Sequence, residues 1–292
     1  IREYLETHKQ EMIDFLAELI AVRSVQGEAE KDFPFGRKPA EALEIMLEKC
    51  RESGFAVENV ENYAGSADLN SLEPQLAILS HLDIVPEGSG WTSEPFNLTV
   101  VGNKLVGRGT IDDKGPSVAS LYALKAVKDL GIPLKKGVRL IFGTNEENGS
   151  ADLAYYRKKR KMPPMVFTPD GEYPVINGEK GMIRVYFSTL FTDGEIHGGQ
   201  VINAVPNLCS YSIKTANTDG LTLNFGTVNG ISAHASTPEK GVNAITKFLN
   251  DNTFNNVVNL GNVNCLVTAA EYAGHVLVDL NNNGFALRGY AL

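Results

Sequence analysis

Four stretches of this chain end in side chains that attract cations or move protons: His81 with Asp83, the pair Asp112 and Asp113, the pair Glu146 and Glu147, and Asp170. His81 and Asp83 follow the apolar run LAILS at a spacing of two, so in a strand or its extension they project to one face. A single acidic pair at a strand end is ordinarily a helix cap or a solvated loop. Four such clusters in succession, one of them carrying an imidazole, are hard to explain in that way. Crowded carboxylates raise one another's pKa unless a cation sits among them, and a metal site resolves the repulsion. His, Asp and Glu without Cys suit a catalytic rather than a structural zinc site, and an Asp between two ions can bridge them. Two ions roughly 3.5 to 4 Å apart polarise a carbonyl and lower the pKa of a shared water to about 7. In TNEENG, neighbouring glutamates on an extended stretch point oppositely, so one can bind metal while the other faces the water as general base.

The elements that must position these groups follow from periodicity and punctuation. Apolar residues from Tyr4 to Ile20 recur at helical spacing and predict an amphipathic helix over 2–22, and a second helix runs from about Pro39 to Ser53, with Gly54 as its stop. After the strand that ends at Ser80 come a polar loop and NLTVVGNKLVGRG, which alternates like a hairpin around Gly102 and Asn103. The stretch GPSVASLYALKAVKDLGI reads as a helix, with Pro116 in its first turn and Gly131 at its end. A strand VRLIFGT, a helix around 150–160 and a strand MVFTPD follow. Strands alternating with helices predict an α/β domain over 1–183, a mostly parallel sheet flanked by helices, with its ligand site at the carboxyl ends of the strands. From about residue 184 strands predominate, with the helix KGVNAITKFLN among them, which predicts a second, α+β domain over 184–292. The Asn- and Gly-rich tail from Asp251 gives no clear element boundaries.

Composition narrows the function classes. With 292 residues, 43% of them apolar, there is material for one large domain or two ordinary ones. A net charge of −8 and a pI near 5.3, with no basic run longer than RKKRK at Arg157–Lys161, argue against a nucleic-acid partner. No stretch approaches the roughly 18 apolar residues of a membrane span, and the charged, amphipathic start is unlike a secretory signal, so a cytoplasmic protein without a membrane partner is expected. Cys50, Cys209 and Cys265 are odd in number and lack C-x-x-C spacing, so they predict neither a disulfide framework nor a zinc–thiolate site; they read as buried small apolar residues.

Five ordered stretches, SHLDIVPEGSGW, GRGTIDDKGP, GTNEENG, TPDGEYPVINGEKG and GISAHASTPEKGVNAI, resemble the successive motifs of the PepV-like dinuclear zinc dipeptidases, relatives of the aminoacylases and succinyl-diaminopimelate desuccinylase. The resemblance spans roughly residues 10 to 250 and implies a zinc-peptidase catalytic domain with a lid domain. It implies that His81 binds one zinc while the Asp83 carboxylate holds its imidazole, that Asp112 bridges both ions, with Asp113 its neighbour across a cis peptide, and that Asp170 completes the first site. Glu146 is then the general base and Glu147 a ligand of the other ion. His234 would polarise the scissile carbonyl and stabilise the oxyanion, and Asn203 would contact substrate. The implied cofactors are two divalent ions, zinc first, with manganese or cobalt as alternatives. The family closes its second site with a histidine near the C-terminus after a Gly-rich return to the catalytic domain. Nothing here matches that return, and His275, on an alternating strand, reads as structural, as do His8 and His197.

The expected activity is hydrolysis of dipeptides by a metal-activated water with a Glu general base, on a small peptide substrate, by a monomer or homodimer. Two readings stand beside it. The same ions would serve an N-acyl amino acid deacylase or desuccinylase, and the unmatched histidine suits a metal-compromised, non-catalytic relative.

Overall fold

A computed structural model describes residues 1–88, 90–171, 176, 182–184, 194–199, 204–217, 220–233, 237–251, 264–269, 276–282 and 285–288. The chain divides into two compact units, Ile1–Val175 and Ile176–Leu292.

The first unit is built on apolar stripes that helical geometry gathers on one side. The predicted first helix is two, α1 (Arg2–Thr7) and α2 (Lys9–Ala21), parted at His8, whose ring Nδ1 donates to the Tyr4 carbonyl. Helix α2 buries Phe15, Leu16, Leu19 and Ile20, and α3 (Arg37–Glu52) buries Leu43, Met46, Leu47 and Cys50, spacings that align on one face. Gly54, at φ +73°, ends α3 in the left-handed conformation that glycine takes without strain. Strands β1 (Ala56–Val60) and β2 (Ala64–Asp68) form an antiparallel hairpin, followed by β3 (Pro74–His81). The small hairpin of β4 (Thr99–Val101) and β5 (Lys104–Val106) turns at Gly102 and Asn103, as its alternation predicts. Helix α4 (Lys114–Asp129), β6 (Gly137–Gly143), a 3-10 turn (Glu146–Asn148), α5 (Ala151–Lys159) and β7 (Met165–Phe167) complete the unit.

The main sheet runs β1-β2-β6-β3-β7. Strands β6, β3 and β7 are parallel, and the β1–β2 hairpin adds an antiparallel edge. Alternation along β6 sends Leu140 and Phe142 into a core with α2, α3 and α4, while Ile141 packs on the other face with Ala77 and Tyr156 of α5. Helices therefore cover both faces, the α/β arrangement expected from the strand–helix alternation. Each large apolar side chain so buried contributes roughly 1.5–3 kcal/mol. Because β3, β6 and β7 run the same way, their carboxyl ends, at His81, Gly143 and Phe167, open on one rim.

In the second unit, β8 (Met182–Arg184), β12 (Asn264–Ala269), β13 (Val276–Asn282) and β14 (Phe285–Arg288) form one sheet, ordered β12-β13-β14-β8. Strands β9 (Gly194–Gly198), β10 (Leu208–Asn217) and β11 (Gly220–Asn229) form an antiparallel one. Helix α6 (Ala244–Asp251) packs Ala244, Ile245 and Phe248 against Cys209 and Ile213 of β10. Strands and helix α6 make up the described part of this unit. Cys50 and Cys209 are free and buried. Among the described residues no helix is long and apolar enough to cross a membrane.

Candidate metal centre

Residues 81, 83, 112, 113, 146, 147 and 170, separated by long stretches of chain, meet at the carboxyl rim of the parallel strands. His81 is the last residue of β3 and is buried. Its Nδ1 lies 3.0 Å from the backbone carbonyl of Asp83. A carbonyl only accepts, so Nδ1 carries the hydrogen, and Nε2 is left facing the cluster. Nε2 lies 3.0 Å from Asp112 Oδ1, 3.4 Å from Asp170 Oδ2 and 3.8 Å from Glu146 Oε2, yet it has no hydrogen-bond partner of acceptable geometry and no access to solvent. Burial, the largest influence, opposes protonation of this ring, but Asp112, Asp170 and Asp83 overcome it and hold its pKa far above the ordinary histidine value. A positive charge is wanted at Nε2, from a proton or a metal ion.

The surrounding carboxylates complete that picture. Single oxygen or nitrogen atoms of His81, Asp112 and Glu147 lie within 4.8 Å of one another, and so do those of His81, Asp113 and Asp170. Glu147 is pushed up to about 7, chiefly by burial and then by the Asp112 charge, and Glu146 is raised by burial and by Asp170. Asp113 is pushed up to about 8 by burial and by Asp170. Carboxylates that resist ionisation in concert, around an imidazole with an unsatisfied nitrogen, form a donor set that fits divalent metal ions; hard oxygens and imidazole suit Zn²⁺ or Mn²⁺.

The supporting shell differs from the sequence expectation in two places. The Asp83 carboxylate lies 3.4 Å from His81 Nδ1, but its two oxygens accept the backbone N–H groups of Glu146 and Glu147, each at 3.1 Å, so it ties β3 to the glutamate turn. Its backbone carbonyl is what orients the imidazole. The glutamates themselves open a 3-10 turn rather than an extended stretch. Successive side chains there diverge by about 120°, so the two carboxylates still part, though not to opposite faces. The turn is anchored from below by Asp152, fully buried, which accepts the N–H groups of Thr144 and Asn145 at 2.7 and 2.9 Å. Gly143 leaves it room, since a Cβ there would stand 2.5 Å from an Asp152 oxygen.

Lys114 is buried, and its Nζ donates to the Leu19 and Val22 carbonyls at 2.8 Å each, clamping the start of α4 onto the end of α2. Burial pushes its pKa down to about 7. Gly115 admits the Thr110 carbonyl, which would lie 2.0 Å from a Cβ. These contacts explain why Lys and Gly follow the two aspartates, whose connecting peptide is cis. Asp152 and Lys114 escape a sequence reading because a lone Asp in a helix and a Lys beside an acidic pair both look solvated. His234, Asn203 and His275 lie outside the described residues.

The α/β domain thus presents an imidazole and a ring of carboxylates at the rim of its parallel strands, a candidate metal centre. The chain belongs to the peptidase family M20/M25/M40, whose model matches residues 77–264. It is 32% identical over 278 residues to a "Beta-Ala-Xaa dipeptidase" of Lactobacillus delbrueckii subsp. lactis, covering 84% of this chain and 59% of that protein. It is likewise 32% identical over 268 residues to "Putative dipeptidase YtjP" of Bacillus subtilis (strain 168), covering 81% of this chain and 58% of that one. The chain thus spans rather more than half the length of the curated relatives it matches. Among solved structures, human carnosine dipeptidase 1 matches 69% of this chain and 46% of its own, with a TM-score of 0.53 at 23% identity, a likeness of fold.

Proposed function

We propose that this chain is the catalytic part of a metal-dependent dipeptidase that holds two divalent ions, zinc foremost, at the rim of β3, β6 and β7. The observation that carries the reading is His81 Nε2, buried, without a hydrogen-bond partner, and facing carboxylates from three other segments of the chain. Ions bound among these groups would supply Lewis acidity, polarising the scissile carbonyl and acidifying a water. In this reading His81 and Asp170 would hold one ion and Glu147 the other, with Asp112 a ligand available to each. Glu146 acts as the general base: its carboxylate takes a proton from the attacking water and hands it to the nitrogen of the leaving amine. Its upward-shifted pKa suits a group that must hold a proton between those two events. Asp83 keeps Glu146 and Glu147 in place through their backbone N–H groups. Membership of a peptidase family and the dipeptidase names of the relatives support a short peptide as substrate.

Elemental analysis of the purified protein, with hydrolysis of a dipeptide panel and of N-acetyl amino acids before and after chelation, tests the proposal. Two ions per chain and chelator-sensitive cleavage of dipeptides are expected. Cleavage confined to N-acetyl amino acids would move the activity to deacylation, and metal-free protein that cleaves dipeptides undiminished would overturn the metal centre.

A further inference from the structure

The turn that presents Glu146 and Glu147 is closed by a residue to which the proposed mechanism gives no part. Asn145 stands just before the glutamates and is buried. Its backbone carbonyl accepts the N–H of Ser150 at 2.8 Å, and its side-chain Oδ1 accepts the N–H of Ala151, the first residue of α5, at 3.2 Å. Ser150, the N-cap residue of α5, makes no side-chain cap bond, so Asn145 caps that helix from six residues away. Residues 145–151 thus form a closed ring with both glutamates inside it.

A backbone N–H only donates, so the amide oxygen of Asn145 faces Ala151, and its other end, Nδ2, donates to Gln26 Oε1 at 3.0 Å. Gln26 belongs to a segment that also touches the other support of the glutamates. Buried Ser24 donates its hydroxyl to the Leu82 carbonyl at 2.6 Å, and its own carbonyl accepts the N–H of Ile84 at 3.2 Å. Leu82 and Ile84 flank Asp83, whose carboxylate accepts the N–H groups of Glu146 and Glu147. The segment from Ser24 to Gln26 therefore bonds on one side to the stretch that carries Asp83 and on the other to Asn145. Both holders of the glutamate turn are referenced to one short piece of chain. Such referencing matters for a group that moves protons, because a misplacement of about 1 Å can cost about 10²-fold in rate.

Resting on the reading of Glu146 as the general base, we propose that Asn145 is a positioning residue for that base. It acts through Glu146 alone: its side-chain bonds to Ala151 and Gln26 fix the direction in which the turn presents the Glu146 carboxylate.

The test is hydrolysis of the dipeptide panel at saturating metal by Asn145→Ala, Asn145→Asp and Gln26→Ala, together with hydrogen exchange of the metal-free proteins. Expected for Asn145→Ala is a fall in kcat of about 10–10²-fold with KM within about twofold of the parent. Amide exchange over 145–151 should quicken by about tenfold, while the rest of residues 1–175 exchanges as in the parent. In a Glu146→Gln background the same substitution should lower the residual turnover no further, since a residue that acts through Glu146 has nothing left to act on. Asn145→Asp keeps the oxygen that meets Ala151 and can accept from Gln26 once that amide turns, so it should lose less than alanine by both readouts. Gln26→Ala, at an exposed position, removes one hydrogen bond and should lower kcat by about three- to tenfold. It carries the test if Asn145→Ala does not fold. Unchanged kcat in the alanine variants overturns the proposal, as does an aspartate loss as deep as alanine's. A further loss of the same size in the Glu146→Gln background also overturns it, being the mark of a general structural role. If the parent hydrolyses none of the panel, the functional reading fails and this inference with it; if the parent and the alanine variants cleave equally well, only this inference fails.

Discussion

The centre contains two pairs of adjacent acids, Asp112–Asp113 and Glu146–Glu147, and the fold treats them differently. The aspartates sit where a loop enters α4, and the structure splits them sharply: Asp113 is fully buried on the amide of His81 while Asp112 is exposed. The glutamates sit on a 3-10 turn held from beneath by Asp83 and Asp152, and both keep access to solvent. The same sequence feature, two carboxylates in a row, thus yields one pair divided between interior and surface and another presented at the surface. The lesson concerns cost. A carboxylate is buried here only where backbone amides meet it, as at Asp113, Asp83 and Asp152, whereas the more solvated carboxylates can serve proton transfer without that support.

The comparison can be broken most severely at Glu146. Glu146→Gln keeps the shape and the backbone contact with Asp83, so metal content should persist while turnover falls by about 10²–10⁴-fold; unchanged turnover would move the base elsewhere. Asp112→Asn acts on the other pair and should lower metal content, with affinity down by at least roughly tenfold; unchanged stoichiometry would remove Asp112 from the ligand set. Asp83→Ala takes the acceptor from two backbone N–H groups under the glutamate turn and should cost about 1–3 kcal/mol of stability for each group left unsatisfied, read by denaturant unfolding of the metal-free chain. A loss confined to activity would mean that water replaces the carboxylate.

The smallest effect is one of pH. Glu147, with an ordinary value of 4.5, is raised to about 7, so the folded chain holds its proton longer than the unfolded one. The stability this confers is complete below about pH 4.5 and is lost as pH rises through about 7. The raised His81 pushes in the same direction above its ordinary value of 6.5. The melting temperature of metal-free protein should therefore decline from pH 5 to 8, and saturating Zn²⁺ should flatten the slope. A metal-free profile that rises over this range would show that other groups dominate.

Much of the centre was legible because its residues stand in local patterns. His81 and Asp83 follow an apolar strand, Gly131 follows a helix and is in the left-handed region, and the hairpin at Gly102 is spelled by alternation. The β1–β2 hairpin was not legible. Its second strand, AGSAD, carries small residues that are nearly all buried and so show no alternation, and Gly65 is packed against Leu43 and Leu47. Asp83 was legible as a partner of His81 but not as the acceptor for Glu146 and Glu147, because those amides arrive from the 3-10 turn after β6, 63 and 64 residues on.

The sequence by itself determined the kinds of donor, their order along the chain and the strands that end beside them, since residue type and short-range period are local properties. Only the tertiary structure decided which member of each acidic pair is buried, which nitrogen of His81 is left without a partner, and that Lys114 clamps α2. Those outcomes depend on which backbone groups and charges approach from distant segments. Desolvation and hydrogen-bond supply are set by that approach, and no local pattern encodes it.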